Sequence, residues 1–173
     1  MGKISLIEAM ALLLSNPKLR KEFSISAVDI AETLNVNDKE RCLFCALSVD
    51  QLNQQAELLI KKRMREVYKF LPLTFQLLGD RTLNLFNQFA ISFWPRSYRR
   101  HQEDAWRFCQ YLKDNGYTYN CSEWNRISFK QEKKKWKLKV VHDAFINKKQ
   151  LVAIQLLFRI GHSVKEKQFY LGV

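Results

Sequence analysis

Leu52, Ala56, Leu59, Ile60, Met64, Val67 and Phe70 recur every three or four residues. This is an amphipathic stripe sustained over about six helical turns. A helix of that length must bury its apolar side against further layers of secondary structure. Ser48 or Asp50 can open it. Pro72 lacks an N–H and disfavours helix at Leu71, so the helix is kinked or divided there. Thr74–Leu78 can continue for a turn, and Gly79 is placed to close it. With five Gly and three Pro in 173 residues, the chain is short of the turn residues that a many-stranded sandwich or barrel needs. The expectation is a mainly helical fold. Hydrophobic residues at 47% supply enough apolar surface for a core and argue against wholesale disorder.

The remaining segments are organised around this stripe. Residues 50–112 hold Trp94, Trp106 and six Phe. Asp80 can cap a helix whose Leu83, Leu85, Phe86, Phe89, Ala90 and Phe93 are apolar nearly all round, which predicts the most buried helix of the chain. Trp94-Pro95 ends it. Glu103–Lys113 reads as a further helix with Ala105, Trp106, Cys109 and Leu112 inward, stopped by Asn115-Gly116. Towards the N-terminus, Ser5 caps a first helix. Pro17 suits the first turn of a short one over Lys18–Phe23, Ser26 caps a third, and Glu40–Leu47 reads as one buried helix.

After Ser122 two readings compete. Trp124, Ile127, Gln131, Lys134 and Leu138 fit a helix, whereas Ile127/Phe129 and Trp136/Leu138/Val140 fit strands around a turn at Glu132–Lys135. Helix to about Lys135 followed by strand is the favoured one. Val152, Ile154, Leu156, Phe158 and Ile160 alternate strictly, and Phe169, Leu171 and Val173 alternate after the turn Gly161-His162-Ser163. The expected architecture is mainly α. It has about seven helices in a compact bundle over residues 1–135 and a small antiparallel sheet over 136–173 packed on it as one folding unit.

Charge is the strongest functional signal. The formal net charge is +12, and residues 61–173 hold 23 basic and nine acidic side chains, so the positive field belongs to the second half. Such a field attracts acidic protein segments, nucleic acid or anionic membrane. Three clusters carry it: Lys61–Arg65, Arg96–His101 around Tyr98, and Lys130–Lys139 around Trp136. Arg suits bidentate contact with carboxylates or phosphates. The simpler reading is a solvated surface. On it, Lys137 and Lys139 form the outward face of an edge strand, opposite Trp136 and Leu138. The candidate partner-binding residues are Arg63, Arg65, Arg96, Tyr98, Arg99, Arg100, Lys137 and Lys139. A sheet edge beside these cations could also take an added strand from an acidic peptide.

Reaction chemistry has little support. His101, His142 and His162 have no metal-ligand spacing, and neither a nucleophile elbow nor a Gly-rich phosphate loop occurs. Cys42 and Cys45 form a C-x-x-C, but inside an expected helix, where buried thiols are the simpler reading than zinc or a redox pair. No cofactor is expected. No secretory pattern is evident, and no run approaches the roughly 18–20 apolar residues of a spanning helix, so a cytoplasmic setting is expected.

Several pieces together resemble a known family: Asn16-Pro17-x-Leu19-Arg20-x-x-Phe23, Leu52-x-x-Gln55-Ala56-x-Leu58, Lys62-Arg63-x-x-Glu66-Val67 and Leu71-Pro72-x-Thr74-x-x-x-Leu78-Gly79, followed by Trp94-Pro95, His101-x-x-Asp104-Ala105-x-x-Phe108 and Glu123-Trp124. They resemble the helical accessory proteins, or fused C-terminal domains, of bacterial multinuclear iron oxidative enzymes that modify ribosomal peptides. A related group carries the label "putative DNA-binding domain". The resemblance spans roughly residues 10–135. It implies a non-catalytic partner that helps recruit a precursor peptide, with the iron ligands on the enzyme. A non-catalytic protein docking an acidic peptide or partner protein is therefore the leading expectation. A nucleic-acid-binding protein is the alternative, and a cysteine-dependent metal or redox protein a third.

Overall fold

The computed structural model describes residues 2–95, 100–146, 149–161 and 163–171; of 143–146 and 149–151 it describes the backbone alone. The chain is mainly helical, with a three-stranded antiparallel sheet at its C-terminal end. It divides into two compact units, residues 1–62 with 90–94, and residues 63–89 with 95–173.

The first unit begins with four short helices, each started by a local cap. In α1 (Leu6–Ser15) Ser5 and Glu8 form a reciprocal capping box. Asn16 ends α1 and caps α2 (Pro17–Ile25), accepting from the Lys18 and Leu19 amides with Pro17 at the first helical position. Ser26 caps α3 (Ala27–Thr33), and Asn37 caps α4 (Asp38–Cys45). Between α3 and α4 the chain reverses through Asn35, at φ 53°. A one-residue parallel bridge, Ile4 with Val36, ties the N-terminal strand to this turn. Ala9, Leu13, Phe23, Ile30, Ala31, Val36, Phe44 and Leu52 form the core, with Phe23 edge-on to Phe44 at 5.1 Å. Leu52 enters from α5 (Val49–Tyr68), the helix of the long stripe, whose residues from Arg63 onward belong to the second unit. Arg20 donates to the carbonyls of Leu13 and Leu14, the end of α1, and to the Asn53 side chain.

In the second unit Pro72 divides the stripe. Tyr68 ends α5, and α6 (Pro72–Leu78) follows after a short turn. Gly79, at φ 56°, closes α6 and leads through a 3-10 turn into α7 (Thr82–Ser92). Next come α8 (Arg100–Asp114) and α9 (Cys121–Gln131). Phe108 of α8 sits amid the rings of Phe75, Phe86, Phe89 and Tyr111, at centroid distances of 5.1–6.4 Å. α7 is not the all-round buried helix that its composition predicts. Leu85, Phe86, Phe89 and Ala90 are buried, whereas Leu83 and Ile91 are exposed, so it has one covered face like its neighbours.

The helix-or-strand ambiguity after Ser122 resolves at Glu132, which ends α9. Strands β1 (Trp136–Ile146), β2 (Lys149–Ile160) and β3 (Ser163–Leu171) pair in the order β1-β2-β3, with an irregularity in β1 between Val141 and Ala144. Arg159 anchors the sheet to α9. Its guanidinium donates to the carbonyls of Phe129, Lys130 and Glu132 at that helix end and of Lys134 beyond it, and lies over the Phe129 ring.

The alternation of the strands is as expected, but the covered side is the opposite one. The residues of β1 and β2 packed inward are Val141, Ala153, Gln155 and Leu157. Trp136, Leu138, Val140 and Ile160 are exposed, and Val152, Ile154, Leu156 and Phe158 are half-buried. The Lys137 side chain, expected to be solvated, is 19% exposed and paired with Glu132. The reason lies in the inward polar groups. Gln155 donates to the Ser122 carbonyl (2.8 Å) and to Glu166 (2.9 Å) and accepts from Asn125 (3.0 Å), so its amide is satisfied against α9 while Ala153 permits close approach.

Candidate partner-binding surface

The residues selected from the sequence separate into four groups. Arg63 is turned inward. It is 7% exposed, and its Nε and Nη2 donate to the two carboxylate oxygens of Asp104 at 3.0 and 2.7 Å. Its guanidinium also lies 6.0 Å from the centroids of Phe86 and Phe89. Arg63 is therefore a core residue and leaves the list of surface cations. Its outward neighbour Arg65 is exposed on α5, and Arg100 is exposed at the start of α8. Arg96, Tyr98 and Arg99 lie outside the described residues. Lys137 and Lys139 lie on β1, the first with Glu132, the second exposed. The basic side chains around Glu132, Lys137 foremost, hold its carboxyl below the usual range.

The two buried carboxylates hold helices together. Asp104 meets Arg63. Glu123 accepts from the Leu73 amide (2.8 Å), the Thr74 amide (2.8 Å) and the Thr74 hydroxyl (2.7 Å), capping the exposed donors at the start of α6 from α9. Thr74 Oγ1 in turn accepts from the Asn120 amide. Burial pushes both carboxyls above the ordinary carboxylate range, against the pull of Arg63 on Asp104 and of the Leu73 and Thr74 donors on Glu123. Arg63 with Asp104 and Thr74 with Glu123 are the side chains involved. They contact one another as two structural pairs.

Cys42 and Cys45 sit one turn apart on α4, Cys42 exposed and Cys45 half-buried, so the expectation of two buried thiols fails for Cys42. Among the described residues no three His, Cys, Asp or Glu side chains gather as metal ligands. An open apolar groove of about 550 Å³ runs between the end of α5, α6 and the start of α7, lined by Met64, Tyr68, Leu73, Phe75, Gln76 and Leu83 among others. No described helix is long and apolar enough to cross a membrane.

The surface that sequence reasoning missed is the outer face of the sheet. Register sets three rows across it: Trp136–Phe158–Lys165, Leu138–Leu156–Lys167 and Val140–Ile154–Phe169, followed by Val152–Leu171. Trp136 is 66% exposed, and Leu138, Val140 and Phe169 are each about as open. A half-buried antiparallel sheet ordinarily alternates apolar inward with polar outward. Here the outward set is the more apolar one. The signal was present in the strict alternation itself, but alternation does not say which side α9 covers.

Comparison with known proteins returned no family model, no curated protein and no solved structure that matches this chain.

Proposed function

We propose that the chain is a non-catalytic interaction protein that docks an acidic peptide or an acidic segment of a partner protein. The observation that carries this reading is the sheet order. β1 and β3 each pair on one side, so among the described residues each keeps an unpaired edge, and β1 bears Lys137 and Lys139. An extended peptide added to that edge would gain main-chain hydrogen bonds, and the exposed Lys139 would select acidic side chains beside Lys137, which is paired with Glu132. Arg65 and Arg100 extend the positive surface on the same unit. The buried carboxylates support a non-catalytic role, because Asp104 and Glu123 are engaged in helix-to-helix bonds. The sequence resemblance adds the kind of partner, an iron-dependent peptide-modifying enzyme with its precursor peptide.

The test uses a fluorescent acidic 12-residue extended peptide and a Lys137→Glu/Lys139→Glu variant of the full chain, with far-UV circular dichroism as the fold control. Loss of binding with an unchanged helical signal supports the reading. Undiminished binding overturns the β1 edge as the site. Single-stranded or duplex DNA bound in place of the peptide, with affinity falling steeply as salt rises, favours the nucleic-acid alternative instead.

A further inference from the structure

The more apolar face of this sheet is the one that α9 leaves uncovered. In layered folds each apolar sheet face is buried against helices or a second sheet. The inner face of this sheet meets α9 through Val141, Ala153 and Leu157, whereas the outer face shows Trp136, Leu138 and Val140 on one flank and Phe169 and Leu171 on the other. Patches of this kind mark interaction sites.

Its dimensions match one helix. Three strands at about 4.8 Å spacing are roughly 10 Å across, close to the diameter of an α-helix with its side chains. The shortest strand has nine residues, a run of roughly 30 Å that a helix of about 20 residues covers.

The charges on the face choose the occupant. Lys165 and Lys167 project on this side from β3, beside the apolar rows, and both are exposed. No acidic residue shares the face among the described positions of the three strands. The two lysines are two residues apart on a strand, about 6.6 Å. Acidic residues four apart on a helix advance by about 6 Å and would face them one to one. A second copy of the chain would instead bring lysine towards lysine, with a net charge of +12 on each molecule.

We propose that the outer face of the sheet receives an amphipathic helix of a partner protein, with an apolar stripe on Trp136, Leu138 and Phe158 and an acidic flank, spaced four residues apart, on Lys165 and Lys167. This inference rests on the reading of the chain as an interaction protein but uses the opposite side of the sheet from Lys137 and Lys139.

Three synthetic peptides of about 20 residues test it against the full chain. One has a leucine stripe with a glutamate flank, one has lysine in place of each glutamate, and one carries the glutamate flank with two central prolines. Trp136 is one of four tryptophans, so its coverage is read as the difference between the native chain and Trp136→Phe. The glutamate-flanked helix should blue-shift its emission, the shift should vanish in Trp136→Phe, and the proline peptide should not bind. In Lys165→Glu/Lys167→Glu the glutamate peptide should weaken by about tenfold or more, and the lysine peptide should gain. Equal binding of the two charged helices to the native chain, or no reversal in the double variant, overturns the proposal. So does a blue-shifted Trp136 caused by phosphatidylserine vesicles but not by the peptide, or a dimer in sedimentation whose face is already covered. If the extended acidic peptide still binds the β1 edge while the helix does not bind the face, this inference fails and the preceding reading stands.

Discussion

Arg63 on α5 and Asp104 on α8 form a two-pronged ion pair inside the second unit, with Asp104 wholly shielded from solvent. Two charges removed from water are costly, and their mutual attraction repays this only with good geometry. Breaking the pair from one side leaves an uncompensated charge. Asp104→Ala should therefore lower stability by about 3–5 kcal/mol in urea unfolding. The double variant Arg63→Met/Asp104→Leu should lose far less than the sum of the two single changes. Additive losses would show that the two side chains do not act as a pair.

Glu123 is the corresponding tie between α9 and α6. Glu123→Ala removes the acceptor for the Leu73 and Thr74 donors and should cost about 1–3 kcal/mol. The pH dependence has a definite sign. Burial raises the folded-state pKa above the unfolded one, so the folded chain holds this proton more tightly. The stabilisation that follows is fully present below the unfolded pKa and is lost as pH rises through the folded value. Over the carboxylate range, native protein should lose stability relative to Glu123→Gln as pH increases. An opposite slope would mean that the hydrogen bonds, not burial, dominate this carboxyl.

Gly79 closes α6 at φ 56° and ψ −133°, a backbone region that residues with a Cβ rarely enter. A Cβ built there meets nothing within 4 Å, so crowding plays no part. Gly79→Ala should cost about 1–3 kcal/mol through the backbone alone. A thermal midpoint equal to that of the native chain would show that the turn relaxes without penalty.

The four thiols should separate kinetically under a thiol-specific reagent. Cys42 is exposed on α4 and should react in the folded protein. Cys109 is buried on α8, and burial foremost, with Glu123 and Cys121 nearby, pushes its thiol well above the ordinary value. It should react only on unfolding, at a rate set by denaturant. Rapid labelling of Cys109 under native conditions would contradict the packing of α8.

What local pattern controls was legible in the sequence. The long stripe from Leu52 onward, its division at Pro72, the Asn16-Pro17 cap and the Asn115-Gly116 stop all depend on neighbours a few residues away, and each is found where the pattern puts it. Side-chain placement that depends on distant partners was not legible. Arg63 in Lys61–Arg65 looks like one more surface cation until Asp104, 41 residues later, is opposite it. Trp136 looks like core and Lys137 like surface until α9 and Glu132 reverse them. Cys42 reads as buried because Leu43 and Phe44 follow it, yet Leu43 is itself exposed. The apolar sheet face is legible as alternation, but a single strand does not show which side its neighbours cover.

The outward turn of the apolar set leaves the strands without the usual guard against misalignment. In an ordinary sheet a slip by one residue would carry every apolar side chain into water. In β2 a slip would turn Val152, Ile154, Leu156 and Phe158 towards α9 and would carry no hydrophobic penalty. Gln155 supplies the missing guard. Its amide has three partners, on Ser122, Asn125 and Glu166, and a slip by one residue would turn it to the outer face and leave those partners unbonded. Gln155, with Arg159 on the same face of β2, thus fixes the alignment that the outward apolar set leaves undetermined.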